Sequence, residues 1–487
     1  MRPLEIMLVI TNLLVLAALT VPLPGRTGRV RRAAPPLALL VMAAQLLVEG
    51  QRWQMVPAYA LSAIFFVAWL VRTVAPARAA RRGRIGRLGA ILGVGLGVLG
   101  LMVSTAVPLL VPVFSLPRPT GPYDVGTVTY HWIDPDRGEI FTADPNDRRE
   151  LMVQVWYPAK ANSPGKRAPY VSDSEALVPL ARLMKLPSFT FSHLEHVTTN
   201  AILSAPMADG APTFPVLLFS HGRSGFRQHN TRQVEELASH GYIIATIDHP
   251  YAAAGVVFPD GRLVTIDNRL LPPWPRKVAA GADPAFQAGI LPYLAQDALF
   301  TLNQLGAVNK ADPQGILTGR LDLDRAAMFG ASMGGLVTAE ACRLEPRLRA
   351  CLVLDVFFPA DVVRSGLRQP TMWISRDAET MRLEGWDPEE VDLTQATAQA
   401  VYEKLPADGY LVRIPGMFHA NISDAALYSP LFSSIGVTGP IDGRRAQEII
   451  AEYSLAFFDR HVKGQPGALL DGPPQQYPEV IFETRRS

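Results

Sequence analysis

Cysteine, metal-ligand spacings and nucleotide-binding loops are what this chain has least of. Its 487 residues include two cysteines, Cys342 and Cys351, which excludes a cysteine-rich zinc module and a disulfide-dense scaffold. There is no H-E-x-x-H, no C-x-x-C and no P-loop, so neither a metal nor a cofactor is expected. His193 and His196 have an H-x-x-H spacing that can present two ligands on a helix face, but a solvated or lid-lining helix is the simpler reading. Charge is sparse too: 18% of residues are charged against 48% hydrophobic, the net charge is +2 and mean hydropathy is +0.14. That balance excludes a disordered chain and a highly charged nucleic-acid binder. It is also too apolar for an ordinary soluble enzyme.

Acidic residues are nearly missing from the first 120 positions. Glu5 and Glu49 stand there against thirteen arginines and no lysine, whereas residues 121–487 hold 33 basic and 42 acidic residues, a net of −9. Four apolar runs occupy the first part: Ile6–Leu23, Pro35–Val48, Val56–Val74 and Leu88–Phe114. A helix rises ~1.5 Å per residue, so about 20 apolar residues cross a ~30 Å hydrocarbon core. The first, third and fourth runs meet that length; the second is short and ends at Glu49. Buried helices of a soluble domain, or a cleaved signal peptide at the first run, are the competing readings. No polar faces alternate with the apolar ones, and only Arg2 precedes the first run. Arg26, Arg29, Arg31 and Arg32 separate runs one and two, and Arg72, Arg78, Arg81, Arg82, Arg84 and Arg87 flank the gap between runs three and four. Cationic loops stay cytoplasmic, and an arginine run beside a span reports topology rather than nucleic-acid binding. The expectation is a multi-pass protein of the cytoplasmic membrane. Its N-terminus and everything after about residue 118 then lie on the extracytoplasmic side. There Cys342 and Cys351 could pair; two buried free thiols are the alternative.

Ser115–Tyr123 (SLPRPTGPY) is Pro/Gly-rich. The expected division is a membrane region over 1–117, a linker over 118–123 and a catalytic domain over 124–487. In the last part, short apolar runs bounded by turn residues read as buried strands: Leu151–Tyr157, Val216–Ser220, Ile243–Asp248, Ala326–Gly330, Cys351–Asp355, Thr371–Ser375 and Tyr410–Ile414. Helical candidates lie between them at Thr231–His240, Phe286–Leu305 and Gly334–Leu344. Strands alternating with helices imply an α/β fold, a mainly parallel sheet covered on both faces.

Gly330-Ala331-Ser332-Met333-Gly334-Gly335 follows a strand and opens a helix, the context that gives G-x-S-x-G its meaning in the α/β-hydrolase fold. The serine must sit on a sharp, strained turn so that its hydroxyl projects clear of the sheet, and small neighbours let strand and helix approach. Ser332 is therefore the expected nucleophile, and the Met333 N–H an oxyanion donor. A serine hydroxyl needs a base, and the chain order in this fold is Ser, acid, His. Two histidines follow: His419, in a loop just after the last strand, and His461, at a helix C-terminus where capping is its expected role. His419 is the expected base. For the acid, Asp355 and Asp377 each end a strand, and pattern alone does not separate them. Phe219-Ser220-His221-Gly222-Arg223-Ser224-Gly225-Phe226 is an H-G-x-G type of loop whose Arg223 amide would be the second oxyanion donor; His221 reads as a packing residue.

The blocks FSHGRSGF (219–226), LASHGYIIATI (237–247), GASMGG (330–335), LDVFFP (354–359) and YSLAFFDRH (453–461) resemble the plasma-type platelet-activating factor acetylhydrolases and their bacterial relatives. The resemblance runs over most of 124–465, with L-D-x-x-x-P its more specific part. It implies an α/β-hydrolase, Asp355 as the triad acid, and oxyanion donors at Arg223 and Met333. An arginine at 223 departs from the apolar residue of that pattern and puts a guanidinium near the acyl site. The four-span leader is not part of the plasma enzymes' pattern. The resulting expectation is a membrane-anchored serine esterase acting on a lipid or small ester, plausibly a short-acyl phospholipid, with no nucleic-acid partner. Acyl transfer by the same residues, or a membrane sensor with a non-catalytic hydrolase fold, are the alternatives.

Overall fold

The computed structural model describes residues 1–20, 28–74, 84–270, 284–472 and 475–486. The chain divides into two compact units: Met1–Phe114 with Tyr428–Leu431, and Ser115–Leu427 with Phe432–Ser487.

The first unit is four helices, Pro3–Thr20, Gly28–Val48, Val56–Val74 and Arg84–Leu110. Three stretches are long and apolar enough to cross a membrane: Pro3–Thr20, Trp53–Val71 and Ile91–Leu110; Ala33–Val48 is a shorter apolar helix. Polar groups face inward. Arg52 donates to both Glu5 carboxylate oxygens at 2.7 Å with both side chains buried, Asn12 donates to the Ala58 carbonyl at 3.1 Å and Ser62 to Asn12 at 2.8 Å. Leucine, isoleucine and valine side chains such as Leu40, Ile64 and Leu96 face out. Small apolar clusters such as Val15, Leu16, Leu61 and Phe65 are also enclosed; an outer face this apolar, with the ionic groups buried, is unlike a bundle standing in water. Arg26, Arg78, Arg81 and Arg82, on which the topology reading leans, lie outside the described residues.

The second unit is built on strands β1 (Asp124–Gly138), β2 (Arg148–Ala159), β3 (Arg167–Pro169), β4 (Thr198–Leu203), β5 (Phe214–Ser220) and β6 (Ile243–Asp248), a small hairpin of β7 (Gly255–Val257) and β8 (Leu263–Thr265), and then β9 (Leu321–Ala331), β10 (Leu348–Leu354), β11 (Thr371–Ser375), β12 (Gly409–Arg413) and β13 (Ile481–Arg485). Eleven of them form one sheet in the order β13-β12-β11-β10-β9-β5-β6-β2-β1-β4-β3. The run β12 to β6 is parallel; β13 pairs antiparallel with β12, β2 antiparallel with β6, and β1 antiparallel with β2. Every residue of β5, β6 and β11 is buried, as expected for parallel strands covered on both faces. Alternate side chains feed two separate cores. Val216, Leu218, Met328, Cys351 and Val353 belong to one face, and Leu217, Phe219, Phe329, Leu352 and Leu354 to the other. This is the mainly parallel α/β sheet that the alternation of strands and helices implied, in the α/β-hydrolase architecture that the G-x-S-x-G context and the family resemblance implied.

All seven expected strands are present, some longer than expected. Strands β1, β3, β4, β7, β8 and β13 were not anticipated. Cys342, in helix Met333–Leu344, and Cys351, in β10, form a disulfide with Cα atoms 6.5 Å apart.

Candidate active site

The sheet's register explains why distant residues meet. Ser220 of β5 pairs with Gly330 of β9, Ala331 of β9 with Leu354 of β10, and Leu354 with Ile374 of β11. The next residues along each chain therefore emerge side by side at the C-terminal edge of the parallel strands, where open α/β sheets bind ligands. The Ser332 N–H donates to the Leu354 carbonyl and the Asp355 N–H to the Ile374 carbonyl, both at 2.8 Å.

Ser332 joins β9 to helix Met333–Leu344 with φ 55° and ψ −122°, a conformation costing a non-glycine residue roughly 1–3 kcal/mol. Close approach makes the turn possible. A Cβ on Gly330 would overlap the Gly334 carbonyl, and one on Gly334 the Ser220 carbonyl. The turn leaves Ser332 half-buried, with the first N–H groups of the helix beside it and free of intrahelical partners.

His419 arrives on the loop after β12. Its Nε2 lies 2.9 Å from Ser332 Oγ and its Nδ1 2.6 Å from Asp355 Oδ2. Asp355 is fully buried and held from several sides. Ser375 Oγ donates to Oδ1 at 2.6 Å, Arg376 Nε to Oδ1 at 3.0 Å, and Arg376 Nη2 stands 2.9 Å from Oδ2. Burial alone would raise this carboxyl's pKa. The adjacent guanidinium and the His419 bond outweigh it and hold Asp355 well below the usual carboxylate range. Asp377, the other strand-end aspartate, is not in this group. It caps helix Ala378–Leu383, accepting from the Thr380 N–H at 2.8 Å and the Thr380 hydroxyl at 2.7 Å. His461 ends helix Gly443–His461 with its ring 3.0 Å from the Tyr410 hydroxyl, and burial lowers its pKa to about 4.

Three further residues had no signal in the sequence. Arg376 is fully buried; besides gripping Asp355 it pairs with Glu384 and lies 4.3 Å from the Trp386 ring centroid. Glu384 accepts the His419 N–H at 3.1–3.2 Å, and the Trp386 and His419 rings are 5.5 Å apart. One carboxylate thus ties the arginine behind the acid to the backbone of the histidine. The only available clue was position, since Ser375 and Arg376 belong to the same strand end that offered Asp377.

On the opposite flank is the loop after β5. A Cβ on Gly222 would stand 3.2 Å from Ser332 Cβ and 3.8 Å from its Oγ. The Arg223 side chain is exposed and donates to the Leu270 carbonyl at 3.2 Å. His193 and His196 sit in a short turn, Ser192–His196, with His193 Nδ1 3.1 Å from the Thr190 carbonyl and His196 3.7 Å from Glu195. Among the described residues, no three histidine, cysteine, aspartate or glutamate side chains group to hold a metal.

Residues 111–261 and 308–466 match the family model of platelet-activating factor acetylhydrolase, isoform II. The chain belongs to this family. A probable 1-alkyl-2-acetylglycerophosphocholine esterase of Arthroderma benhamiae is 24% identical over 422 residues, covering 79% of this chain and 98% of that one. The platelet-activating factor acetylhydrolase of Cavia porcellus is 22% identical over 402 residues, covering 76% and 84%. Among solved structures, a ferulic acid esterase from Streptomyces cinnamoneus superposes with a TM-score of 0.58 at 28% identity, covering 76% of this chain and 99% of its own. This member of the acetylhydrolase family is an acyl-ester hydrolase of the serine hydrolase class.

Proposed function

We propose that Ser332, His419 and Asp355 form the catalytic triad of a membrane-anchored esterase. The observation supporting it most directly is the unbroken chain from Ser332 Oγ to His419 Nε2 at 2.9 Å and from His419 Nδ1 to Asp355 at 2.6 Å. His419 takes the serine proton as Oγ attacks the ester carbonyl. Asp355 keeps the imidazole in the tautomer that can accept it and stabilises the imidazolium. The Arg223 and Met333 amides receive the oxyanion, His419 returns its proton to the departing alcohol, and water then releases the acyl group by the same route.

Short-acyl phospholipids are the proposed substrates. The relatives named as platelet-activating factor acetylhydrolase and 1-alkyl-2-acetylglycerophosphocholine esterase support this, and so does the first unit, with its apolar exterior and enclosed ionic groups. An extracytoplasmic catalytic domain fits the arginine distribution and the Cys342–Cys351 disulfide, a bond that persists in oxidising compartments. The test uses membranes carrying the full chain, assayed on short- and long-acyl phospholipids, a feruloyl ester and simple esters, with a fluorophosphonate probe for the serine. Ser332→Ala should abolish both turnover and labelling at unchanged expression. Retained turnover in that variant would exclude the mechanism. A feruloyl preference would replace the phospholipid assignment.

A further inference from the structure

A second serine, histidine and aspartate meet beneath the candidate site. Ser220 Oγ lies 2.8 Å from His249 Nε2, and His249 Nδ1 lies 2.8 Å from Asp297 Oδ2. All three are fully buried. Asp297 in turn accepts from the buried Arg149 at 3.0 and 2.6 Å and stands 2.7 Å from Arg137. A sealed serine on a central strand meets no ester, so this set does no hydrolysis. Its geometry acts on the neighbouring backbone instead.

The His249 N–H donates to His221 Nε2 at 3.1 Å. With Nε2 occupied as an acceptor, the proton of the neutral ring is on Nδ1. Nδ1 lies 2.7 Å from the Gly222 carbonyl, which also accepts the Gly225 N–H at 2.8 Å. Burial, reinforced by the nearby His249, lowers the His221 pKa to about 4, so the ring stays neutral at ordinary pH. The peptide from Gly222 to Arg223 is planar and trans. Its N–H therefore points opposite to a carbonyl that two donors hold, and this peptide borders Ser332.

We propose that His221 is a positioning residue: by gripping the Gly222 carbonyl it aims the Arg223 N–H as an oxyanion donor, and the Ser220–His249–Asp297 chain holds His249 where its own N–H fixes the His221 tautomer. The proposal rests on Ser332 being the nucleophile and the Arg223 amide an oxyanion donor. His221 itself touches no reacting atom.

Two substitutions separate the ring's two bonds. His221→Gln keeps an acceptor near the Nε2 position for the His249 N–H but offers no donor at the δ position. His221→Asn places an amide N–H at the δ position. In the full-length protein, His221→Gln should lower kcat roughly 10- to 100-fold, a part of what losing an oxyanion donor costs, with KM within about twofold. It should weaken a trifluoromethyl ketone by the same factor. In that adduct Ser332 Oγ bonds to the ketone carbon, the carbonyl oxygen becomes the oxyanion and the serine proton passes to His419. His221→Asn should recover most of the kcat. Equal kcat in wild type and the glutamine variant, or a glutamine variant that outperforms the asparagine one, overturns the proposal. A merely structural role would lower the melting temperature and the labelled fraction in both variants without the kcat-against-KM split. Ser332 labelling distinguishes the two levels. If wild type labels and Ser332→Ala is dead while His221→Gln is silent, only this inference fails. If wild type does not label, the parent reading fails.

Discussion

Asp355 and Asp377 stand one residue past β10 and two past β11, and their local sequences are equally suited to an acid. The family resemblance points to the first, and the side chains around the two differ accordingly. Asp355 meets an imidazole, a hydroxyl and a buried guanidinium; Asp377 meets the first turn of a helix. Asp355→Asn should lower kcat by about 10⁴, because an amide favours the wrong His419 tautomer. Asp377→Asn should leave kcat near wild type, since asparagine also caps; Asp377→Ala should cost about 1 kcal/mol of stability. Steady-state kinetics and thermal melts on the three variants decide it, and a dead Asp377→Asn with an active Asp355→Asn would reverse the assignment. Within the proposed triad, Ser332 and His419 could be nominated from sequence because a strained turn and a strand-end loop have local signatures. Arg376, Glu384 and Trp386 were not, because an arginine that serves another strand's carboxylate looks in sequence like any other arginine.

The central strands could be read from sequence for a simple reason: a strand buried on both faces is mostly apolar, as β5, β6 and β11 are apart from Ser220, Thr246, Asp248, Thr371 and Ser375. Edge and antiparallel strands escape that rule. Strand β13 (IFETR) is half exposed at the sheet margin, and the far end of β1 is polar and open to solvent, so neither forms an apolar run. Helix Met333–Leu344, which carries the turn of Ser332, is stapled to β10 by the disulfide. The two cysteines are nine residues apart, and by chain entropy a loop of that size contributes about 2–3 kcal/mol. Changing both Cys342 and Cys351 to serine should lower the melting temperature by an amount that reductant reproduces in wild type. A reductant-insensitive wild-type melt would show that the bond does not contribute.

The two units obey opposite rules of burial. In the first, ionic and amide side chains are enclosed beside small apolar clusters while many further leucines, isoleucines and valines face out; in the second, the large aromatic and aliphatic cores are enclosed. The expectation is that the full chain stays with membranes through an alkaline wash. A C-terminal alkaline phosphatase fusion, active only outside the cytoplasm, should be active. A fluorescent C-terminal green fluorescent protein fusion with no phosphatase activity would place the catalytic unit on the cytoplasmic face.

Hydropathy, the strand–helix alternation and the G-x-S-x-G turn are properties of neighbours along the chain, and they were enough to give the α/β class and the apolar leader and to nominate the proposed serine and histidine. The resemblance pointed to Asp355, but the side chains that surround it, the arginine that keeps it ionised, and the His249 N–H that sets the His221 tautomer are contacts between residues 20 or more positions apart. Such contacts exist only once strand register has brought the strand ends into a row, and register is a property of the folded sheet.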